Sequence, residues 1–136
     1  MFQTASFPIR CGLLVSAVVI STWRMIGSAD AQTPPGAAVY QAKCGGCHSL
    51  DSNRIGPSHR GVVGRKPASV PGYAYSAAIK KLTGVWTPAR LDAWLQGPQK
   101  VAPGSKMFLT VADPAARATI IAYLQSVSPP AAAIKK

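Results

Sequence analysis

Acidic residues are nearly absent from this chain of 136 residues. Four aspartates and no glutamate stand against 15 lysines and arginines, and the aspartates are widely separated along the sequence. The chain therefore offers no neighbouring pair of carboxylates for general acid–base catalysis, and it has few titratable groups of any other kind. This composition argues against an enzyme that depends on such chemistry.

Cysteine and histidine are also scarce, with three and two residues, and most of them fall in the five-residue motif Cys44-Gly45-Gly46-Cys47-His48. C-x-x-C-H is the attachment sequence for c-type haem. Thiols at positions i and i+3 lie one helical turn apart, so both can reach the vinyl groups of one porphyrin. The motif predicts one haem c per chain, bound covalently through Cys44 and Cys47, with His48 as the proximal ligand of the iron.

Other interpretations of the two thiols are weaker. A thioredoxin-like redox pair requires a βαβ setting, which the sequence does not indicate. A closed zinc site needs four ligands, and outside the motif only Cys11 and His59 remain. A structural disulfide in an exported chain stays open, but it would not explain His48.

The first 31 residues have the features of a secretory signal peptide. Arg10 gives a short positive region, residues 11–23 form an apolar run, and Ala29-Asp30-Ala31 is a small-x-small cleavage sequence. We expect cleavage after Ala31, export to the periplasm and no stable membrane insertion of the mature chain. An uncleaved anchor is the alternative, although the run is short beside the ~20 apolar residues that a spanning helix needs.

The mature chain, residues 32–136, is strongly basic, with 13 basic and 3 acidic residues. Export and the lack of a nucleic-acid-binding motif argue against nucleic acid as a partner. Positive charge of this size instead favours encounter with acidic surfaces of redox partner proteins. We expect a monomer with lysines around the exposed haem edge. The lysines beside the predicted haem segments are Lys43, Lys80, Lys81, Lys100 and Lys106.

Residues 32–127 predict a small all-α domain, with about four short helices and long loops wrapped around the haem. The loops at 50–72 and 101–111 are rich in proline and glycine and lack a sustained hydrophobic period. Residues 128–136 predict a flexible C-terminal tail. The expected helices open at Thr33–Gly36, at Ser76, at Thr87-Pro88 and at Asp113-Pro114, and the last one ends near Val127.

Several further segments follow the haem motif in a characteristic order, and they extend over about residues 36–127. They are Gly56-Pro57, Gly64-Arg65-Lys66, Pro71–Ser76, Trp86, Pro103–Met107 and Ile121–Leu124. In this order the chain resembles the class I cytochromes c, small monohaem electron carriers, and in particular their compact bacterial members related to mitochondrial cytochrome c. The resemblance implies a soluble one-electron carrier and not an enzyme.

The resemblance also implies the sixth ligand of the iron. Pro103–Met107 is similar to the segment that carries the axial methionine in this family. From the residues alone, Met107 is the only methionine of the mature chain, and it lies in a Pro/Gly loop where a methionine that merely fills a core gap is less expected. A thioether ligand raises the reduction potential.

Four more roles are implied residue by residue. Pro57 matches the residue whose carbonyl accepts the imidazole N–H of the proximal histidine. Tyr75 and Trp86 match donors to a haem propionate, and Arg65 matches the basic residue that offsets its charge. Ordinary packing is the alternative for each of these side chains.

Among the positions that depart from the family pattern, two lie at the expected site. Trp94 stands where the mitochondrial proteins have a tyrosine near the axial methionine, so we expect the sulfur to lose a hydroxyl donor. His59 stands at a usually apolar position near the proximal side, and we interpret it as a solvated loop residue, with a competing iron ligand under denaturing conditions as the alternative.

Two other functions remain open from the sequence. A haem peroxidase or gas-binding protein would need Met107 to dissociate and open the distal side of the iron. A dedicated electron-transfer subunit of one periplasmic oxidoreductase would have the same sequence features as a general carrier.

Overall fold

The computed structural model describes residues 34–129. The chain divides between Ala31 and Gln32 into two units, and all of the described residues belong to the second. The predicted signal peptide, residues 1–31, and the tail from residue 130 onward lie outside the described residues. Ser128, which we expected to begin the tail, is held: its hydroxyl donates to the Leu124 carbonyl at 2.7 Å and accepts from the Val63 amide at 3.2 Å.

The described part of the chain is helical and contains no strand, as the sequence predicted. Side chains cap three of the helices: Ser76 accepts from the Ile79 amide, Thr87 from Arg90 and Asp113 from Ala115. Such caps satisfy amides that the first helical turn leaves free. The helices are α1 Ala37–Cys44, α2 Ala77–Lys80, α3 Pro88–Gln96, α4 Pro98–Val101 and α5 Pro114–Ser126.

The short helix α4 is one more helical segment than the sequence led us to expect. Gly97-Pro98 ends α3, as predicted, but the same pair also starts α4, because the fixed φ of a proline suits the first helical position. The loop that carries Met107 therefore begins after Val101 from a short helical turn.

The long helix α5 packs against both α1 and α3. At the first of these contacts the Tyr40 and Tyr123 rings lie 5.1 Å apart. Gly36, at φ +91°, has no room for a side chain, because a Cβ there would lie 2.8 Å from the Thr119 carbonyl oxygen. This close approach lets α1 pack tightly against α5, and Cys44, at the C-terminal end of α1, is buried.

Loops fill the space between the helices and form the other walls of the interior. Two of them are joined by a pair of backbone hydrogen bonds, from the Gly64 amide to the Trp86 carbonyl at 2.8 Å and from the Trp86 amide to the Arg65 carbonyl at 2.9 Å. This pairing brings Arg65 and Trp86, which are far apart in sequence, to the same part of the fold.

Candidate functional site

One cavity of about 340 Å³ lies between the helices and the loops. All eight residues that the sequence singled out line it. They are Cys44, Cys47, His48, Pro57, Arg65, Tyr75, Trp86 and Met107. Most of the remaining wall consists of apolar side chains, among them Ile79, Leu91, Leu95 and Leu124. The fold therefore gathers residues from positions 44 to 107 around one mainly apolar space.

His48 is oriented by the carbonyl of Pro57. The His48 Nδ1 atom lies 2.8 Å from the Pro57 oxygen. A carbonyl oxygen only accepts, so Nδ1 carries the proton and Nε2 of the neutral ring keeps its lone pair. Burial lowers the pKa of His48, and the bond to Pro57 opposes this shift only in part. The residue is thus a neutral imidazole with one nitrogen free to bind a metal.

Gly56 makes room for the His48 ring. A Cβ at this position would lie 2.1 Å from His48 Cε1 and 2.5 Å from Nδ1. No side chain fits at such distances, so only glycine allows the Pro57 carbonyl to reach Nδ1 from this side. Pro57 could be predicted from the sequence, but the requirement for glycine at position 56 is visible only in the packing.

His59 is not a solvated loop residue, which corrects our interpretation. Its ring stacks on His48 with centroids 3.9 Å apart and planes 20° from parallel. Its Nδ1 lies 3.2 Å from the Tyr40 hydroxyl. Burial, helped by the nearby His48 and Arg65, lowers the pKa of His59 to about 3, so the ring is neutral at ordinary pH. The wall of the cavity therefore contains two stacked imidazoles, His48 and His59.

The two thiols of the motif lie on the same wall but differ in exposure. Cys44 is buried at the end of α1, and Cys47 is exposed. Burial and the neighbouring Cys47 raise the pKa of Cys44 to about 11. The turn between them is closed by the bonds of the Cys47 and His48 amides to the Cys44 carbonyl, at 3.1 and 2.9 Å. This turn places both sulfurs and His48 within one short segment beside the cavity.

Met107 is held through its sulfur by Trp94. The indole Nε1 donates to Met107 Sδ at 3.2 Å. We expected the sulfur to lose a hydroxyl donor at this position, and the structure shows an N–H donor in its place. Trp94 is buried and meets Trp86 edge to face, with ring centroids 5.4 Å apart. The donor is thus fixed by packing within the core.

Two other side chains hold the backbone on either side of Met107. Gln99, on α4, bonds to the loop before Met107 and to the Met107 carbonyl. Arg117, buried on α5, donates to the carbonyls of Val111 and Ala112 at 2.9 and 2.8 Å and pairs with Asp92 at 2.7 Å. The Arg117 guanidinium lowers the pKa of Asp92, so this anchor stays ionised at neutral pH. No local pattern in the sequence indicates either contact.

Arg65 brings a partly buried positive charge to the cavity wall. Its guanidinium donates to the carbonyls of Arg60 and Ser58, at 2.9 and 2.7 Å. Burial lowers the pKa of Arg65, while the nearby Tyr75 opposes the shift. A guanidinium with only neutral partners in a mainly apolar cavity fits a ligand that carries an acidic group.

Three exposed lysines, Lys43, Lys66 and Lys106, stand at the cavity. The Nζ atom of Lys106 donates to the Ala74 carbonyl at 3.1 Å and so spans from one loop to another. Of the lysines proposed for the haem edge, Lys80, Lys81 and Lys100 do not line the cavity, whereas Lys66, which we did not include, does.

The residues around the cavity fit a haem. They offer two thiols in the attachment spacing, a neutral imidazole with a free Nε2, a thioether sulfur, a partly buried arginine for acidic groups and an apolar lining. Comparison with known proteins supports a haem site, because the model of the family described as Cytochrome c matches residues 34–128 of this chain. The chain belongs to the class I cytochrome c family.

Individual relatives support this assignment. The chain is 43% identical over 105 residues to cytochrome c2 of Rhodopila globiformis, covering 74% of this chain and 99% of that one. It is 43% identical over 94 residues to the cytochrome c-type cyt cy of Rhodobacter capsulatus, covering 68% of this chain but only 47% of that longer protein. The solved structure of cytochrome cH from Methylobacterium extorquens superposes with a TM-score of 0.64 at 41% identity, over 68% of this chain and 95% of that one.

Membership of the cytochrome c family establishes the general function and the cofactor. The chain is a haem-based electron-transfer protein that interacts with redox partners, and it is not an enzyme. It binds one haem c covalently, and Cys44 and Cys47 are the cysteines of its attachment motif. Within residues 34–129, no helix is long and apolar enough to cross a membrane.

Proposed function

We propose that this cytochrome c is a periplasmic one-electron carrier whose haem iron is bound by His48 Nε2 and Met107 Sδ. One observation carries the ligand assignment: an imidazole whose other nitrogen is committed to a carbonyl and a thioether whose sulfur is held by an indole line the same cavity. When bound, the haem supplies a reversible Fe(II)/Fe(III) couple.

The chain's own residues then have separate tasks. The Pro57 carbonyl keeps the proton on Nδ1 of His48 and thereby fixes the ring orientation and its basicity. Trp94 orients the Met107 sulfur, and its donated hydrogen bond reduces the electron density that the sulfur can give to a metal. Arg65, Tyr75 and Trp86, which line the same cavity, would hold the acidic groups of the cofactor. The apolar lining keeps water away from the site.

The ligand assignment is tested on the oxidised holoprotein. We expect a low-spin spectrum with the weak sulfur-to-iron charge-transfer band in the far red, and Met107→Ala should lose that band and bind carbon monoxide rapidly when reduced. A wild-type protein that lacks the band and already binds carbon monoxide rapidly would instead favour a haem peroxidase or gas-binding protein with a labile distal side.

The periplasmic location rests on two features of the sequence. Residues 1–31 resemble a signal peptide, and c-type haem is attached to its motif in bacteria only after export to the periplasm. We expect the holoprotein in the periplasmic fraction, with Gln32 at its N-terminus by mass spectrometry. Recovery of the full-length chain from the membrane fraction would contradict cleavage and support an anchor.

We further propose that a monomer docks on acidic partner surfaces through the lysines at the cavity. Exposed apolar side chains stand beside these lysines, since Ile55 and Phe108, at 76% and 75% exposure, also line the cavity. Charge steers encounter over several ångströms, while apolar contact stabilises the complex that forms.

Salt dependence and charge reversal test the docking proposal. Lys66→Glu is the better probe, because reversal at Lys106 would also break its bond to Ala74. We expect Lys66→Glu to slow electron transfer with an acidic partner about 3- to 10-fold at low salt. The effect should shrink as the Debye length falls from ~30 Å at 0.01 M to ~8 Å at physiological ionic strength. Lys136→Glu is the control, and an equal effect there would mean that only net charge matters.

A further inference from the structure

Gln99 makes an unusual number of contacts for a single neutral side chain. Its Nε2 atom lies 2.8 Å from the Ser105 carbonyl oxygen, 2.9 Å from the Ser105 hydroxyl and 2.8 Å from the Met107 carbonyl oxygen. Its Oε1 atom accepts from the Gly104 amide at 3.1 Å. One amide on α4 thus joins the backbone at three positions of the loop that ends in Met107.

The orientation of this amide is determined by its partners. Its two N–H groups face the carbonyls of Ser105 and Met107, which can only accept, and its oxygen faces the amide of Gly104, which can only donate. A flipped side chain would set oxygen against oxygen and N–H against N–H. Every hydrogen-bonding group of the Gln99 amide is therefore used on the loop.

Few other contacts hold this stretch of backbone. Pro103, Gly104 and Lys106 are exposed, as are residues 108–110, so between the buried Ala102 and Val111 the loop buries little apolar surface apart from Met107. Ser105 is the exception at 2% exposure, and it is one of the partners of Gln99. A segment with few buried apolar contacts opens easily unless specific hydrogen bonds retain it.

We propose that Gln99 is the positioning residue for Met107: it closes the loop and so keeps the sulfur in place at the iron. This inference rests on the proposed His48/Met107 ligation. Trp94 acts on the sulfur directly, whereas Gln99 acts through the backbone on both sides of Ser105, and the two side chains come from neighbouring helices, α3 and α4, which pack together.

Two variants of the holoprotein separate hydrogen bonding from packing. Gln99→Leu removes both the donor and the acceptor, while Gln99→Glu keeps the size and the acceptor but sets a carboxylate against two carbonyl oxygens. Imidazole added to the oxidised protein can bind the iron only after Met107 leaves, so its binding rate reports the opening of the loop. Gln125→Leu, at an exposed position on α5, is the matched control.

We expect both Gln99 variants to bind imidazole about 10-fold faster or more than wild type, because several hydrogen bonds are lost from one segment. The far-red band should remain at room temperature but disappear at a lower temperature than in wild type, while Gln125→Leu should match wild type in both measurements. A Gln99→Glu protein that behaves like wild type would overturn the proposal, since it would show that only side-chain volume matters.

The same measurements distinguish this proposal from the ligand assignment. If the wild-type protein has no far-red band, the ligation by Met107 is wrong, and the role of Gln99 with it. If the wild-type band is present and is lost in Met107→Ala, but imidazole binds all the Gln99 variants at the wild-type rate, only the role of Gln99 is wrong.

Discussion

The segment around His48 is held by groups of its own loop and carries the attachment cysteines, whereas the segment around Met107 is held by side chains that come from three helices, α3, α4 and α5. At His48 the contacts run within residues 44–59: backbone bonds to Cys44, the Pro57 carbonyl and the stacked ring of His59. Both cysteines that attach the haem also lie there. Around Met107, Trp94 binds the sulfur, Gln99 binds the loop up to the Met107 carbonyl, and Arg117 binds the backbone beyond it at Val111 and Ala112.

This difference has a thermodynamic consequence. Contacts that stay within one loop, with covalent attachment of the haem in the same segment, survive small distortions of the fold. An exposed loop that is retained by side chains on three separate helices depends on the packing of α3, α4 and α5. Regions with few buried contacts open at a lower free energy than the whole domain. We call the segment around Met107 the methionine side of the site and the segment around His48 the histidine side. The methionine side should therefore open first under heat, denaturant or a competing ligand, while the histidine side stays folded.

The largest effect is expected from replacing the attachment cysteines, because the covalent bonds to the haem stabilise the histidine side. Cys44→Ala or Cys47→Ala should abolish or severely reduce maturation, because one thioether cannot fix the porphyrin as two do. Acid–organic extraction of purified protein measures covalent haem directly. Cys11→Ala, within the predicted signal peptide, is the control and should retain it; free extraction of haem from the wild type would contradict the attachment.

Gly56→Ala should produce the next largest effect. The added methyl would lie 2.1 Å from His48 Cε1, so either the imidazole or the backbone before Pro57 must move. We expect a loss of about 2 kcal/mol in the free energy of unfolding, as for overpacked interiors. Gly46→Ala is the matched control, because its Cβ would meet no heavy atom within 4 Å. Equal losses at both positions would show that the His48 contact is not the cause.

Trp94→Phe acts on the methionine side and should change redox properties more than stability. Without the N–H donor, the sulfur gives more electron density to the metal and favours Fe(III). We expect the reduction potential to fall by roughly 20 to 40 mV, which for one electron corresponds to about 0.5 to 1 kcal/mol. Trp94→Tyr can supply a hydroxyl donor and should recover part of the loss. A potential unchanged in Trp94→Phe would mean that the contact at 3.2 Å has no electronic effect.

The smallest effect concerns Tyr40, which supports His59 behind His48. Burial, with smaller contributions from Cys44 and Tyr123, raises the pKa of Tyr40 from 10.0 to about 12. Above pH 10 the unfolded chain loses this proton while the folded chain keeps it, so stability is fully present below pH 10 and declines toward pH 12. The difference in unfolding free energy between wild type and Tyr40→Phe should therefore be level below pH 10 and shrink above it. A difference that stays level up to pH 12 would contradict the burial of the hydroxyl.

Local sequence was sufficient to predict the helix starts and the juxtaposition of the two cysteines and the histidine of the haem motif. Cys44, Cys47 and His48 are adjacent in the chain, and Ser76 and Thr87 cap helices that begin at the next residue, so short-range geometry decides their contacts. The prediction that the Pro57 carbonyl faces the histidine also agrees with the structure, at 2.8 Å.

Contacts that depend on tertiary packing could not be predicted from the sequence. The side chains of Gln99 and Trp94 reach the Met107 loop only because α3 and α4 pack beside it, and no spacing rule relates a glutamine to a carbonyl eight residues away. His59 was misinterpreted for a similar reason, since its position in a polar loop gave no sign that it would stack on His48. Gly56 was recognised as one of the characteristic segments, but glycine is needed there because a Cβ would lie 2.1 Å from His48 Cε1, which only the structure shows.

The most direct test of this account is a denaturant titration of the oxidised wild-type holoprotein, followed at once by the far-red sulfur-to-iron band and by far-ultraviolet circular dichroism. We predict that the band is present in buffer and disappears at a clearly lower denaturant concentration than the helical signal, because Met107 leaves the iron before the domain unfolds. Absence of the band in buffer would contradict ligation by Met107. Coincident loss of the two signals would contradict the difference between the two sides of the site.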